Sequence, residues 1–234
     1  MYYQLFNDDN VYNFNNINSL KNLNNKHNVK IIDIFNFNII VLPNLDEFIN
    51  LKILNCSNNK LTQLPQLPDS LIELYCNYNQ LTQLTQLPSN LIILDCCGNK
   101  LTQLPQLTSN IIFLHCAFNQ LTYLPLLPIN LIYLYCYNNQ LTQLPELPSK
   151  LIELECNNNQ LNKIPQLPPN LQILSCNNNY KKLHKYIIHC KSLNIYIKYN
   201  KYKYLDTLNE LLNYNIENYY YFRIIIYYNK YNYY

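Results

Sequence analysis

Nine cysteines pose the first chemical question in this sequence, and seven of them recur every 20 residues: Cys56, Cys76, Cys96, Cys116, Cys136, Cys156 and Cys176. Thiols can form disulfides, hold zinc or act as nucleophiles. An interval this long is not the short paired spacing of zinc ligands. Side chains in register on parallel strands point the same way, a poor geometry for a disulfide. Packing remains: a free cysteine behaves as a small hydrophobe, and reduced thiols imply an intracellular setting. Cys97 and Cys190 stand outside this ladder, and Cys97 is expected to be exposed. Cys190 follows His189 and lies near His184, so a Cys–His pair could activate it for an enzymatic or recruiting role. Packing in a terminal cap is the simpler role, and no catalytic residue is expected.

Near the C-terminus, Lys198, Lys201 and Lys203 alternate with Tyr196, Tyr199, Tyr202 and Tyr204, placing cations beside stacking surfaces as nucleic-acid binding requires. Residues 181–234 hold eight Lys and Arg223 against three acids, whereas residues 51–180 hold five Lys against six. Residues 1–50 hold three Lys against five acids. No basic groove therefore continues the track, and a solvated face is expected in place of a nucleic-acid site. The lone glycine, Gly98, excludes phosphate-cradling loops and nucleophile elbows, which need several, and no cofactor or metal is expected. The sequence has no long uncharged apolar run, and MYYQLFNDDN has no basic segment leading into an apolar one. Neither a membrane span nor a secretory signal is expected. The 42 Asn and 24 Tyr among 234 residues fit an A+T-rich gene, so composition alone carries little.

The elements that position these residues follow from an internal repeat. Its period is 20, unbroken from Leu51 to Tyr180, and one unit reads LIELYCNYNQLTQLTQLPSN from Leu71 to Asn90. Leu or Ile occupies position 1, Leu position 4 and Cys position 6, with Leu at 11, Leu or Ile at 14 and Leu at 17. Asn holds position 9 in every unit: Asn59, Asn79, Asn99, Asn119, Asn139, Asn159 and Asn179. A degenerate 22-residue unit precedes them, with Val29, Ile32, Ile34, Ile39, Leu42, Pro43 and Leu45 in matching places and Phe37 where the asparagine should stand. Positions 4 and 6 alternate with 3, 5 and 7, the period of a short strand with one buried face. An Asn where the chain leaves the strand can satisfy backbone groups that a turn leaves unpaired. Eleven of the 12 prolines fall at positions 15, 18 or 19, which forbids helix there and favours an extended return path.

The pattern LxxLxCxxNxL resembles the leucine-rich repeat, and the LxxLPxLPxx that follows resembles the short subtype of secreted bacterial effectors of animal pathogens. Asparagine-rich versions of this kind are similar to repeats of giant DNA viruses. The resemblance covers residues 29–180. It implies an α/β-type solenoid, a horseshoe with one parallel strand per repeat lining a concave face that binds other proteins. Effectors with similar repeats often add a ubiquitin-ligase domain with a catalytic cysteine. Here only 54 residues follow Tyr180, and that family's Cys-x-Asp motif is absent.

Three segments are expected: an N-terminal cap over 1–28, the repeats over 29–180, and a basic, Tyr-rich C-terminal cap or tail over 181–234. Solenoids need caps because their terminal units expose an apolar side. Leu20 and Leu23 belong to the first; in the last, residues 183–199 suggest a short helix and a strand, with apolar Ile187, Ile188, Ile195 and Ile197, and Leu205, Leu208, Leu211, Leu212 and Ile216 a capping helix.

Comparing the repeats with one another shows where variation is concentrated. Positions 12–14 keep TQL with small departures, whereas the strand positions facing the hollow vary widely. Tyr75, Phe113, His115, Tyr133, Tyr135 and Tyr137 gather there, joined by Tyr78 and Phe118, with Glu73, Asp95, Glu153 and Glu155. Exposed aromatics in one patch are typical anchors of a protein interface. The expectation is a monomeric, non-enzymatic binding module whose partner is a protein with apolar and basic surface. His115 is expected to be an exposed contact residue.

Overall fold

The computed structural model describes residues 3–7, 10–14, 20, 22–179 and 196–197. Each repeat contributes one three-residue strand, with the alternating Leu54-type residue turned into the core. The strands are β3 (Ile31–Asp33), β4 (Ile53–Asn55), β5 (Glu73–Tyr75), β6 (Ile93–Asp95), β7 (Phe113–His115), β8 (Tyr133–Tyr135), β9 (Glu153–Glu155) and β10 (Ile173–Ser175). They pair in parallel and in sequence order, each position facing its equivalent in the next repeat, so Leu54 meets Leu74 and Leu74 meets Leu94. Backbone bonds run past the strand ends: Cys76 N–H donates to Asp95 O (2.8 Å) and Tyr78 N–H to Cys97 O (2.8 Å). A second ladder forms where the chain starts back, with Gln80 N–H donating to Leu61 O and Lys100 N–H to Leu81 O, both 2.9 Å.

At the N-terminal edge a hairpin of β1 (Tyr3–Asn7) and β2 (Asn10–Phe14) adds two antiparallel strands to β3, within the segment expected to act as a cap. At the other edge β11 (Tyr196–Ile197) pairs in parallel with β10, where the sequence suggested a strand. The expected capping helix and the residues His184, His189, Cys190, Lys198, Lys201 and Lys203 lie outside the described residues. So does the whole of a second unit, Tyr199–Tyr234. Among the described residues no helix is long and apolar enough to cross a membrane.

The core is a continuous stack of leucines. Leu51, Leu54, Leu61, Leu71, Leu74, Leu81 and their equivalents are shut off from solvent, and the degenerate unit joins them through Val29, Ile32, Ile34, Ile39, Leu42 and Leu45. Between strands the units from 51 to 179 carry bends and turns but no helix. Each unit closes with a turn in which the position-1 N–H returns to the position-18 carbonyl, as from Leu71 to Pro68 and Leu91 to Pro88, both 3.1 Å. Proline suits such sites because it fixes φ and brings no donor. Thr85 and Thr108 stand where other units have proline, and both leave a buried hydroxyl without a partner.

The asparagine at position 9 joins neighbouring units. Asn99 accepts from Leu81 N–H (2.9 Å) and donates to the carbonyls of Cys76 (3.0 Å), Cys96 (3.1 Å) and Cys97 (3.2 Å). The same set recurs at Asn79, Asn119, Asn139, Asn159 and Asn179. Asn59 reaches back into the degenerate unit, accepting from Phe37 N–H and Ile39 N–H. A second, exposed asparagine series at position 20 escaped the sequence reading: Asn90, Asn110, Asn130 and Asn170 each donate to a carbonyl one unit back.

All eight described cysteines are free and buried. Cys97 corrects the expectation of exposure: it is 1% exposed, because position 7 is walled by residues of the adjoining units. Burial pushes the Cys56 thiol up from 9.0 to about 12, and burial reinforced by neighbouring thiols or acids raises Cys76, Cys96, Cys116, Cys136 and Cys156 well above that ordinary value.

Two measurements check this architecture. Asn99→Ala strands Leu81 N–H in the core and should cost about 2–3 kcal/mol in urea unfolding, whereas exposed Asn110→Ala should cost under about 1 kcal/mol. The raised thiol pKa values mean that the folded chain holds protons that the unfolded chain releases. Their stabilisation is full below about pH 9 and is lost as pH climbs toward 12. The urea midpoint should therefore hold steady from neutral pH to about pH 9 and then fall. A flat profile through pH 11 would contradict thiol burial.

Candidate functional site

Strand alternation turns positions 3, 5 and 7 to the face away from the leucine core. The structure brings the aromatic candidates together there. Phe113 meets Tyr135 at 5.5 Å between ring centroids and Tyr133 at 6.2 Å, and His115 meets Tyr135 at 5.6 Å and Tyr137 at 5.9 Å. Such edge-on and tilted contacts suit aromatic quadrupoles, and they remove ring surface from water. Phe113 is thus only 4% exposed and Tyr75 is buried, while Tyr133, Tyr135 and Tyr137 are half-buried. This corrects the expectation of an open aromatic groove, because rings on adjacent strands cover one another.

The acids are also sequestered: Glu73, Asp95, Glu153 and Glu155 are buried. The Tyr75 hydroxyl donates to Glu73 (2.9 Å), and the Tyr135 hydroxyl reaches across to Glu153 (3.0 Å). Burial, then the nearby charges of Glu153 and Glu155, push the Tyr135 hydroxyl well above its usual range, so it stays a donor.

His115 is 2% exposed, contrary to the expected exposed contact. Parallel register sets it opposite Asp95, and its Nδ1 lies 3.2 Å from Asp95 Oδ1. The same oxygen accepts from Cys97 N–H (3.2 Å). Burial opposes protonation of His115, but its neighbours Cys97 and Asp95 outweigh that and raise the imidazole well above its ordinary value. Asp95, Cys97 and His115 bring one ligand-type atom each to within 4.8 Å of one another. Spacing argues against zinc at the 20-residue ladder, and a lone His115 reads as a contact residue before a metal ligand; the cluster lies across two repeats. The signal was there: an off-ladder cysteine, an acid two residues before it, and a histidine one period on from that acid.

What remains open to solvent lies at position 8, where the chain turns off the strand. The backbone is left-handed in all seven units, with φ between 51° and 63°. Asn58, Gly98, Asn138, Asn158 and Asn178 fit that conformation, but Tyr78 and Phe118 do not, since a bulky L-residue is strained there. Tyr78 is 45% and Phe118 48% exposed, and Phe118 packs edge-on to Tyr137 at 5.3 Å. A Cβ on Gly98 would meet Tyr78 Cδ1 at 2.6 Å, so the single glycine makes room for this ring. A second apolar patch breaks the otherwise polar outer side of one unit: Tyr123, Leu126 and Ile129 replace the Gln or Lys, the Gln or Glu, and mostly Ser of the other units.

Neither a protein-family model nor a curated protein matches the chain. Solved structures do. A Shigella effector leucine-rich-repeat domain is 30% identical with a TM-score of 0.62, over 70% of this chain and 76% of that one. YopM from Yersinia enterocolitica is 38% identical with a TM-score of 0.59, over 60% of this chain but 31% of its own length, so the present chain matches less than a third of that protein. The octameric complex of Latrophilin 3, Unc5D and the leucine-rich repeats of FLRT2 holds a chain 32% identical with a TM-score of 0.50, over 57% of this chain and 47% of that one.

A double-mutant cycle tests the packing at position 8. Gly98→Asn should cost about 1–3 kcal/mol by overpacking against Tyr78. In a Tyr78→Asn background most of that cost should vanish, since Asn occupies this conformation in four other units. Additive effects would mean that the ring and the glycine are independent.

Proposed function

Since the chain belongs to the leucine-rich-repeat proteins of the bacterial-effector type, we propose that it is a non-enzymatic module that captures a partner protein along the concave side of its sheet. One observation carries this reading: two bulky aromatics, Tyr78 and Phe118, are kept half in solvent on a left-handed backbone where five sister units place Asn or Gly. Backbone strain of this kind persists where the rest of the fold enforces it, and it clusters at ligand clamps. The two rings serve as anchors, with Tyr137, Tyr133 and Tyr135 packed behind them. Aromatics so placed contribute disproportionately to binding.

The partner presents an apolar patch to these rings. A basic rim would complement Glu73, Asp95, Glu153 and Glu155 at long range, where acids shape encounter more than affinity. The free, buried thiols support work in a reducing, intracellular compartment. The complex that holds the FLRT2 leucine-rich repeats together with Latrophilin 3 and Unc5D supports protein recognition as the class of activity.

The test restores each patch to the residues of its sister repeats. Cells carrying a proximity-labelling fusion of the full chain should lose their specific partner with Tyr78→Asn plus Phe118→Asn, while the purified variant unfolds at the same or higher urea concentration. Changing Tyr123 and Leu126 to Gln and Ile129 to Ser, or Gln103 and Gln143 to Ala, should leave capture unchanged. Loss of capture with the outer-side set and not with the ring pair would place the partner on the other face and overturn the proposal.

A further inference from the structure

We propose that Asp95, Cys97 and His115 form a binding site for a zinc-type divalent cation, built across two adjacent repeats. Period-two alternation puts Asp95 and Cys97 on one side of the same chain segment, and parallel register sets His115 beside Asp95. Carboxylate oxygen, thiol sulfur and imidazole nitrogen all lie within 4.8 Å of one another, compact enough for one ion to touch all three. The donor set is specific. A thiolate with an imidazole favours zinc over the hard cations magnesium and calcium, and the carboxylate is an accepted third ligand. Three protein ligands leave the fourth tetrahedral position to water.

Two further observations separate this cluster from chance packing. Each of the three is buried, so a bound ion would be held away from bulk water, and its binding would displace a proton from the paired Asp95 and His115. A divalent cation compensates a carboxylate and a thiolate together. The shell is also organised as metal sites are: Asp95 Oδ1 is fixed by Cys97 N–H. No other unit combines these types. Position 7 elsewhere holds Ser57, Asn77, Ala117, Tyr137, Asn157 and Asn177. The site ties two repeats together near the middle of the solenoid, at the unit beside which Tyr78 and Phe118 emerge, so the ion would stiffen the segment that carries the proposed anchors.

The experiment uses the full chain, stripped with a chelator under reducing conditions and titrated with cobalt(II), then with zinc as competitor. One equivalent of cobalt should produce a thiolate-to-metal charge-transfer band and the visible bands of a four-coordinate ion, and zinc should abolish both. Cys97→Ser should remove the charge-transfer band and weaken binding beyond the roughly 10–100-fold that loss of an outer-shell partner costs. His115→Asn should weaken it likewise, so a folding defect in one variant leaves the other to decide. Cys190→Ser should change nothing, which separates this cluster from the Cys190, His184 and His189 group. Absence of the band in the stripped wild type, its survival in Cys97→Ser, unchanged cobalt affinity in His115→Asn, or its loss in Cys190→Ser would overturn the proposal and leave a hydrogen-bonded Asp–His–thiol cluster.

Discussion

The structure depends on one hydrogen-bonded side chain, the asparagine at position 9. Where a strand only three residues long gives way to a turn, backbone donors and acceptors face the interior with no ladder to join. Their burial unpaired would cost far more than the net value of any single hydrogen bond. One carboxamide solves this for two units at once: its oxygen takes an N–H of the preceding unit while its nitrogen serves carbonyls of both. Only a side chain with donor and acceptor on one short planar group can do this, so Asp or Ser would not replace it. The constraint is periodic, and it imposes the period on everything else.

With the asparagines in register, the cysteines at position 6 must also fall in register. There a small apolar side chain fits between stacked leucine layers, and Cys76, Cys96 and Cys116 occupy fully enclosed sites. The same alignment brings variable positions of neighbouring repeats side by side. Residues far apart in the chain become close partners: Asp95 with His115, Tyr135 with Glu153, Phe113 with Tyr133. A repeat protein thus writes its specific chemistry two or three residues at a time, across a strand boundary, on a scaffold that does not change.

Position 8 shows how stability and exposure compete. The turn demands a positive φ, and Asn or Gly meets that demand at least cost. Placing Tyr78 and Phe118 there sacrifices backbone comfort for aromatic surface held at a fixed angle. Gly98 then answers Tyr78 from the next unit, since any side chain would collide with the ring. The only glycine of the chain is therefore explained by a neighbour's ring as well as by its own turn.

By itself the sequence determined the period, the unit boundaries, the buried leucine and cysteine positions, the asparagine ladder and the absence of helix between strands. These depend on spacing within one unit, and spacing is a property of the linear chain. It also pointed to the face on which variable residues gather. What only the tertiary structure decided was how far those residues reach solvent. The linear pattern points to exposure of Phe113, Tyr75, His115 and Cys97, because a side chain on an isolated strand has open space beside it. In the sheet that space is filled by the equivalent residue of the next repeat, a strand spacing of about 4.8 Å away, so large neighbours bury each other. The same lateral closeness assembled Asp95, Cys97 and His115 and set Tyr78 over Gly98. Side-by-side contact depends on which residues two successive units bring to the same place, and only stacking turns that pairing into burial and distance.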